Sequence, residues 1–450
     1  MQLQLCHFTT KWHCSAQQNH AYTIGYIQKI PQTTPLRYNP RVCLGAPSLG
    51  NSTVYQTNGC PHVGMTAGIA LPSQPPDLLR DKTMTHLGNK NQFTMGQTQL
   101  PVSAYFDEAL YQRELETLFK NRPQYVGHEL MVPYDGDYQV LASEHNGRAL
   151  IREKGEVRLL SNVCRHRQAV MLKDRGNAQN IVCPLHRWTY DRSGTLIGAP
   201  HFAEDPCLNL HQTPVQSWNG MLFKGGSESQ VARDLAGMGV ADKLNFDNYA
   251  LGRIEQHTCH YNWKTFIEVY LEDYHVAPFH PGLSGFVTCD DLAWQFGEHY
   301  SVQTVGVFNQ LAKPGSPAYQ KWHDEVLKYQ NGAPPAQGAI WLTYYPNVMV
   351  EWYPNTLIVS TLYPQGLNKT LNVVEYYYHD DIVAFEPDYM DAQRNAYMET
   401  VIEDDEIAER MDQGRRALYE RGDNEVGPYQ SPMEDGMQHF HTWYRRMMGL

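Results

Sequence analysis

The chain has 450 residues, 42% of them apolar, which is enough for two or three domains with cores of their own. Its formal net charge of −12 argues against sequence-independent binding to nucleic acid or to an anionic membrane surface. No apolar run is long enough to span a bilayer, no basic segment followed by an apolar stretch opens the chain, and nine cysteines are too sparse for a disulfide scaffold, so the cytoplasm is the expected compartment.

Residues 1–98 carry seven Lys/Arg but only two acids, Asp77 and Asp81, while the other 46 of the 48 acids lie beyond. Pro, Gly, Thr, Gln and Asn recur there without helix-length apolar periodicity. This predicts either a disordered extension or sequence that is not native to the protein, with the true start at Met84 or Met95. Residues 99–123 read as a helical lead-in. Tyr111, Leu115, Leu118 and Phe119 fall at helical spacing within Tyr105–Asn121, and Pro123 stops the run. Short apolar runs follow at Gln139–Ser143, Ala149–Arg152 and Glu156–Leu160, and predict the strands of a small all-β domain over 124–235. Gly225-Gly226-Ser227 marks a flexible spot near its end. Over 236–450, Trp341–Tyr345, Val348–Tyr353, Leu357–Tyr363 and Thr370–Tyr378 read as antiparallel strands, and Tyr389–Glu420 as one long helix or a pair. The expected fold class is α+β.

Cys164-Arg165-His166 is followed, after sixteen residues, by Cys183-Pro184-Leu185-His186. Two mixed Cys/His pairs on separate loops can meet at one metal site. Two thiolates on one iron and two imidazoles on the other describe a Rieske 2Fe–2S centre. The rival is structural zinc, for which two Cys and two His are a normal set, although zinc fingers generally pair Cys with Cys and His with His. The flanking stretch Cys183–Asp191, then Gly194 and Leu196, matches the Rieske pattern. Arg165, Arg167, Lys173, Arg175, Arg187 and Arg192 form a basic collar around it, either solvated loop charge or a docking surface for an acidic electron donor. Cys207, Cys259 and Cys289 read as isolated thiols.

Further on stand Asn262-Trp263-Lys264, Glu268, Glu272-Asp273-Tyr274-His275 and His280. Glu268, Glu272 and His275 occupy i, i+4 and i+7, one face of a helix. On an unbroken helix, residues five apart would point about 140° away from each other. Pro278 cannot continue the helix, so a turn before His280 can bring both rings to one ion. Two His from one segment and a carboxylate from elsewhere form the facial triad of non-haem Fe(II) oxygenases. Around Val401–Met411, Asp404 shares a helical stripe with Tyr397, Val401, Ile407, Ala408 and Met411. A carboxylate on such an apolar face is costly unless it pairs with a buried base or binds a metal. Glu403 and Asp405 face more polar neighbours and are weaker candidates.

On these motifs, together with Glu403-Asp404-x-x-Ile407, residues 101–450 resemble the large (α) subunits of Rieske ring-hydroxylating oxygenases. The resemblance implies a Rieske domain followed by a catalytic domain whose antiparallel sheet curves around a helix. It implies a 2Fe–2S cluster on Cys164, His166, Cys183 and His186, and a mononuclear Fe(II) on His275, His280 and Asp404. It also implies a homotrimer, in which the cluster of one subunit feeds the iron of the next through a bridging carboxylate three residues before the first His, here Glu272. An NAD(P)H-dependent reductase, with or without a ferredoxin, would supply electrons, and O2 would be the co-substrate. Many members carry Asp at that position; Glu also occurs in relatives acting on quaternary ammonium compounds such as carnitine. Residues 1–98 have no counterpart. Hydroxylation of an aromatic ring is the first functional expectation. The alternative is monooxygenation of an N-methyl or quaternary ammonium compound, with Trp352, Tyr353 and Tyr344 as an aromatic cage. A pure electron carrier is the third reading, opposed by the second motif and the chain length.

Overall fold

The structure, a computed structural model, describes residues 98–450. The expectation for residues 1–98 therefore falls, Thr98 apart, outside the described residues. The lead-in starts with a 3-10 turn, Val102–Tyr105, and continues as an α-helix, Glu108–Glu114, that winds into a π-helical turn, Leu115–Lys120. The helix begins later than its apolar spacing predicts, because the Asp107 side chain accepts the Leu110 N–H at 2.9 Å and fixes the N-terminus there.

A small β-rich region follows. One five-stranded antiparallel sheet runs in the order Arg175–Asn177, Asp137–Val140, Arg148–Glu153, Glu156–Ser161, Gln212–Thr213. A three-stranded sheet, Ile181–Val182, Thr189–Tyr190 and Leu196–Gly198, packs on it through a shared core that includes Leu160, Ile181, Trp188 and Tyr190. The strand expected over Gln139–Ser143 ends at Val140, where Ala142–Glu144 turns into a 3-10 helix.

The larger region is built on a seven-stranded antiparallel sheet. Its order is Tyr249–Cys259, Lys369–His379, Thr356–Gly366, Val348–Tyr353, Ala339–Tyr344, Tyr300–Val307, Val287–Phe296. Four of these strands match the apolar runs read from sequence. The two edge strands were missed because they carry polar stretches, Arg253–His257 and Asp290-Asp291, at half-buried or exposed positions. The third missed strand, Tyr300–Val307, mixes Ser, Gln and Thr with its apolar residues, although most of it is buried.

Side chains alternate between the two faces of this sheet. Met349 and Tyr353 face a core shared with the helices Trp263–Tyr270, Pro317–Tyr329, Pro387–Arg421 and Asp435–Met448. Val348, Val350 and Trp352 face the opposite way, against Tyr125, Phe223 and the buried side chains of Val231, Leu235, Leu244 and Phe246. Pro387–Arg421 is one continuous helix of 35 residues. Among the described residues no helix is long and apolar enough to cross a membrane.

The Asn262-Trp263-Lys264 motif locks these layers together. Asn262 caps the helix Trp263–Tyr270 by accepting the Lys264 N–H at 3.0 Å, and its amide donates to the Leu367 and Tyr105 carbonyls at 2.8 and 3.1 Å. Trp263 Nε1 and Lys264 Nζ donate to the two oxygens of Glu114 at 2.9 and 2.8 Å, joined by the Tyr444 hydroxyl. The Glu114 and Lys264 side chains are both 0% exposed. Breaking a buried pair by removing one partner is costly, so Lys264→Met should lose about 3–5 kcal/mol of stability. Adding Glu114→Gln, which removes the unanswered charge and keeps one acceptor oxygen, should recover much of that loss. Guanidinium unfolding of the single and double variants measures both.

Candidate metal centres

Cys164 and Cys183 open two loops of the same shape. In each, the Cys carbonyl accepts an N–H from the fourth residue on (Gln168 at 3.1 Å, Arg187 at 3.2 Å), and the Cys N–H donates to the fifth (Ala169 at 2.9 Å, Trp188 at 2.8 Å). Gln168 and Arg187 both take left-handed backbone, φ 54° and 63°. Both thiols are free and buried, whereas His186 is exposed. The His166 and His186 rings lie 4.7 Å apart, and His166 stacks on Trp188 at 5.0 Å. The Tyr190 hydroxyl accepts the Arg165 N–H at 3.1 Å and lies 3.8 Å from Cys164 Sγ. Burial pushes this hydroxyl up to about 12, so it stays protonated at neutral pH.

These four residues fit a two-iron cluster. His166 Nδ1 is buried and has no hydrogen-bond partner, as a nitrogen meant for a metal would be. A tetrahedral zinc would hold its ligand atoms about 3.3–3.8 Å from one another. Among the described residues, the sets of three or more donors within 4.8 Å are His275/His280/Asp404 and His257/Cys259/Asp405, and the Cys164–His186 group is not one of them. Its wider spread suits a binuclear core.

At the second centre the helix Trp263–Tyr270 stops at Leu271, well before Pro278, which lies inside a separate short helix, Val276–Phe279. The expected continuous face of Glu268, Glu272 and His275 does not form. Glu268 stays in the interior, bound to Arg415 at 2.6 Å, His441 at 2.8 Å and the Tyr105 hydroxyl. Glu272 instead closes the turn after the helix, accepting the His275 backbone N–H at 3.1 Å and its Nδ1–H at 2.6 Å. Glu403 holds His280 Nδ1 at 2.7 Å. With both Nδ1 atoms held, both Nε2 atoms point at Asp404 Oδ1, at 3.4 Å from His275 and 2.9 Å from His280. This is the carboxylate–imidazole orientation usual around metal ligands. Asp404 is 31% exposed, so it opens onto free space rather than being sealed in the core. Burial works against charge on His275, but Asp404 and Glu272 outweigh it and raise the ring to about 10.

Glu403 and Asp405, the weaker ligand candidates of the three acids, have imidazole partners that no local spacing announces. Three consecutive acids reach three places: Glu403 to His280, Asp404 to both imidazoles, and Asp405 to His257 and the Tyr261 hydroxyl. Cys259 is accordingly not an isolated thiol, although burial pushes it up to about 12 and keeps it protonated.

Beside His275 and Asp404 lies a cavity of about 80 Å3, lined also by Tyr270, Trp322, Trp341, Glu351, Tyr353 and Tyr397. The expected cage is corrected by the sheet's alternation. Tyr353 lines the cavity, but Trp352 and Tyr344 pack on the other face, where the Tyr344 hydroxyl donates to Asp234 at 2.7 Å.

Residues 122–218 match the family model of the Rieske [2Fe-2S] domain, and residues 246–450 that of the ring hydroxylating alpha subunit (catalytic domain). Putrescine 2-hydroxylase of Ralstonia nicotianae is 66% identical over 365 residues, covering 81% of this chain and 100% of the relative. The chain belongs to the Rieske ring-hydroxylating oxygenase family. Putrescine 2-hydroxylase of Bordetella bronchiseptica is 55% identical over 393 residues, 84% of this chain and 91% of the relative. The solved structure of the quaternary ammonium Rieske monooxygenase CntA with an inhibitor shares the fold, with a TM-score of 0.63 at 21% identity over 78% of this chain and 95% of that one. A Rieske oxygenase is an oxidoreductase that uses molecular oxygen, and its two domains imply a 2Fe–2S cluster and a non-haem iron. Anaerobically purified protein should contain about three irons and two acid-labile sulfides per chain. A single zinc without sulfide would overturn the ligand sets described above.

Proposed function

We propose that this Rieske oxygenase hydroxylates a carbon of a small aliphatic amine of the putrescine class. In this reading Cys164, His166, Cys183 and His186 hold the cluster within a domain spanning 124–235. His275, His280 and Asp404 hold the mononuclear Fe(II) within a domain spanning 236–450. The observation that carries it is the convergence of those two imidazoles and one carboxylate on the wall of a cavity of about 80 Å3. Its wall combines aromatic rings with the carboxylates of Asp273 and Glu351, a lining that suits a small cation carrying an alkyl chain. The aromatic-ring expectation gives way here to the amine alternative. The relatives that match along nearly their whole length are putrescine 2-hydroxylases, and putrescine is a linear diamine without a ring.

When bound, the cluster supplies single electrons and the iron supplies the activation of O2 that hydroxylation requires. The chain's own residues do the rest. Glu272 and Glu403 fix the two imidazole rings and their tautomers. Trp322, Trp341 and Tyr353 wall the cavity against water.

An NAD(P)H-dependent reductase, or a ferredoxin fed by one, fits as donor. Arg165, Arg167, Lys173, Arg175 and Arg187 are exposed around the cluster loops, a surface that speeds encounter with an acidic partner. Arg192 leaves the collar, being paired with Glu153 at 2.6 Å. A homotrimer is supported by matching surfaces. Leu185, Ile197 and Phe202 are exposed apolar residues in the region of His186, and Glu272 borders a groove that includes the exposed Tyr274 and Phe308. Seating the first surface of one copy on the groove of the next would bring His186 to Glu272.

With a reductase, NADH and O2, the holoenzyme should convert putrescine to a hydroxylated diamine and leave naphthalene and benzoate unchanged. Turnover of the ring compounds alone would overturn the amine reading. Glu272→Gln keeps an oxygen for the His275 Nδ1–H but loses the charge. Both metals should still bind and the donor should still reduce the cluster, while single-turnover product formation should fail. A wild-type rate would refute a bridging role for Glu272, and loss of the mononuclear iron would make Glu272 itself a ligand.

A further inference from the structure

The cavity beside His275 and Asp404 contains two carboxylates, Glu351 and Asp273, that form no salt bridge among the described residues. Glu351, on the strand Val348–Tyr353, is 2% exposed. Its Oε1 accepts the Tyr397 hydroxyl at 2.9 Å, its Oε2 accepts the Tyr353 hydroxyl at 3.0 Å, and Trp341 Nε1 donates to the Tyr353 oxygen at 3.0 Å. Among the described residues it forms no ion pair within 4.0 Å. Asp273 is also 2% exposed. Its Oδ1 accepts Gln303 Nε2 at 3.0 Å, and its Oδ2 is buried without a partner. The Tyr270 hydroxyl, on the same cavity wall, is buried and unpartnered too, and lies within electrostatic reach of both carboxylates.

Burying a carboxylate with no cation is costly, and burial pushes Glu351 up to about 7 in spite of its two tyrosine donors. A cation entering the cavity would remove that cost. The aromatic rings of Trp322, Trp341, Tyr353 and Tyr397 around it add faces that attract an ammonium group. The comparison inside the same sheet is Glu375. It is likewise buried and bonded by two tyrosines, Tyr125 and Tyr377, both at 2.7 Å, but it does not line this cavity. Two tyrosines on a buried acid are therefore not a site by themselves. What sets Glu351 apart is its place on the cavity wall and the second acid without a salt bridge beside the metal ligands.

We propose that Glu351 and Asp273 are the two poles of a receptor for a linear diammonium ion. Glu351 pairs the ammonium far from the reacting carbon, and Asp273 pairs the one nearer the metal. This rests on the amine-hydroxylase reading and adds what selects a diamine over a monoamine.

Calorimetric titration of the wild-type holoenzyme with putrescine, n-butylamine and 1,4-butanediol tests it without any substitution. Putrescine should bind at least about tenfold more tightly than either analogue, and equal affinities would overturn the proposal. In turnover, Glu351→Gln should raise KM for putrescine about 10- to 100-fold and erase its preference over n-butylamine. Glu351→Asp should restore part of that preference, and Glu375→Gln should leave KM unchanged. Cluster absorbance and circular dichroism report whether each variant is folded. If Glu351→Gln does not fold, the wild-type titration decides. Wild-type enzyme that neither binds nor oxidises putrescine sinks the amine reading itself. Enzyme that oxidises putrescine with a KM indifferent to Glu351→Gln sinks only the two-pole receptor.

Discussion

Glu114 and Lys264 meet in the interior with neither side chain reaching solvent, and one turn further along the same helix Glu268 meets Arg415 and His441. Charges removed from water must be answered where they stand, so each of these contacts tolerates little displacement. Together they tie the short helix Trp263–Tyr270 to the lead-in, to the long helix Pro387–Arg421 and to the C-terminal helix. That helix delivers the chain to Glu272, His275 and His280. The position of the imidazoles therefore depends on ion pairs that touch no metal and no substrate. Asp412 adds to the same anchor, accepting the Asn262 N–H at 2.7 Å and the Thr265 hydroxyl at 2.6 Å.

Residues whose spacing reflects one local constraint were legible in the sequence. The paired Cys/His loops and Asp404 on its apolar stripe follow from short-range geometry, and the structure brings His275, His280 and Asp404 together, although the helix breaks at Leu271 and not at Pro278. What the helical period suggested for Glu268 was wrong for a physical reason. The helix ends at Leu271, so Glu268 remains with the buried bases while Glu272 turns outward. The aromatic cage failed in a similar way, since Trp352 and Tyr353 are neighbours in sequence but lie on opposite faces of a strand. Glu351 and Glu403 had no local signal. Their roles come from partners 46 and 123 residues away, Tyr397 and His280.

Negative charge is concentrated around the second centre. Glu272, Glu403 and Asp404 surround two imidazoles, and Asp273 and Glu351 line the adjoining cavity. In an empty protein that arrangement is self-repelling, with Glu403 held above its usual range by burial. A divalent ion at the imidazoles and a cationic substrate beside it would relieve the repulsion. In the proposed reading, the acidity that looks costly in the free chain is the complement of that ion and that substrate. The cluster loops carry the opposite sign on their surface, through the exposed Arg165, Arg167, Lys173, Arg175 and Arg187.

His280 and Asp404 stand 124 residues apart in the chain, and six of the seven strands of the large sheet lie between them. A polypeptide emerging from the ribosome presents both imidazoles long before the carboxylate that completes the set has been synthesised. Contacts this distant in sequence form late, after the intervening loops have been closed. For the proposed ligand set, tight capture of iron would then be an end-point of assembly rather than a nucleus for it. A molecule whose sheet has not closed should hold the metal weakly, so retained iron distinguishes finished chains from those still on the way.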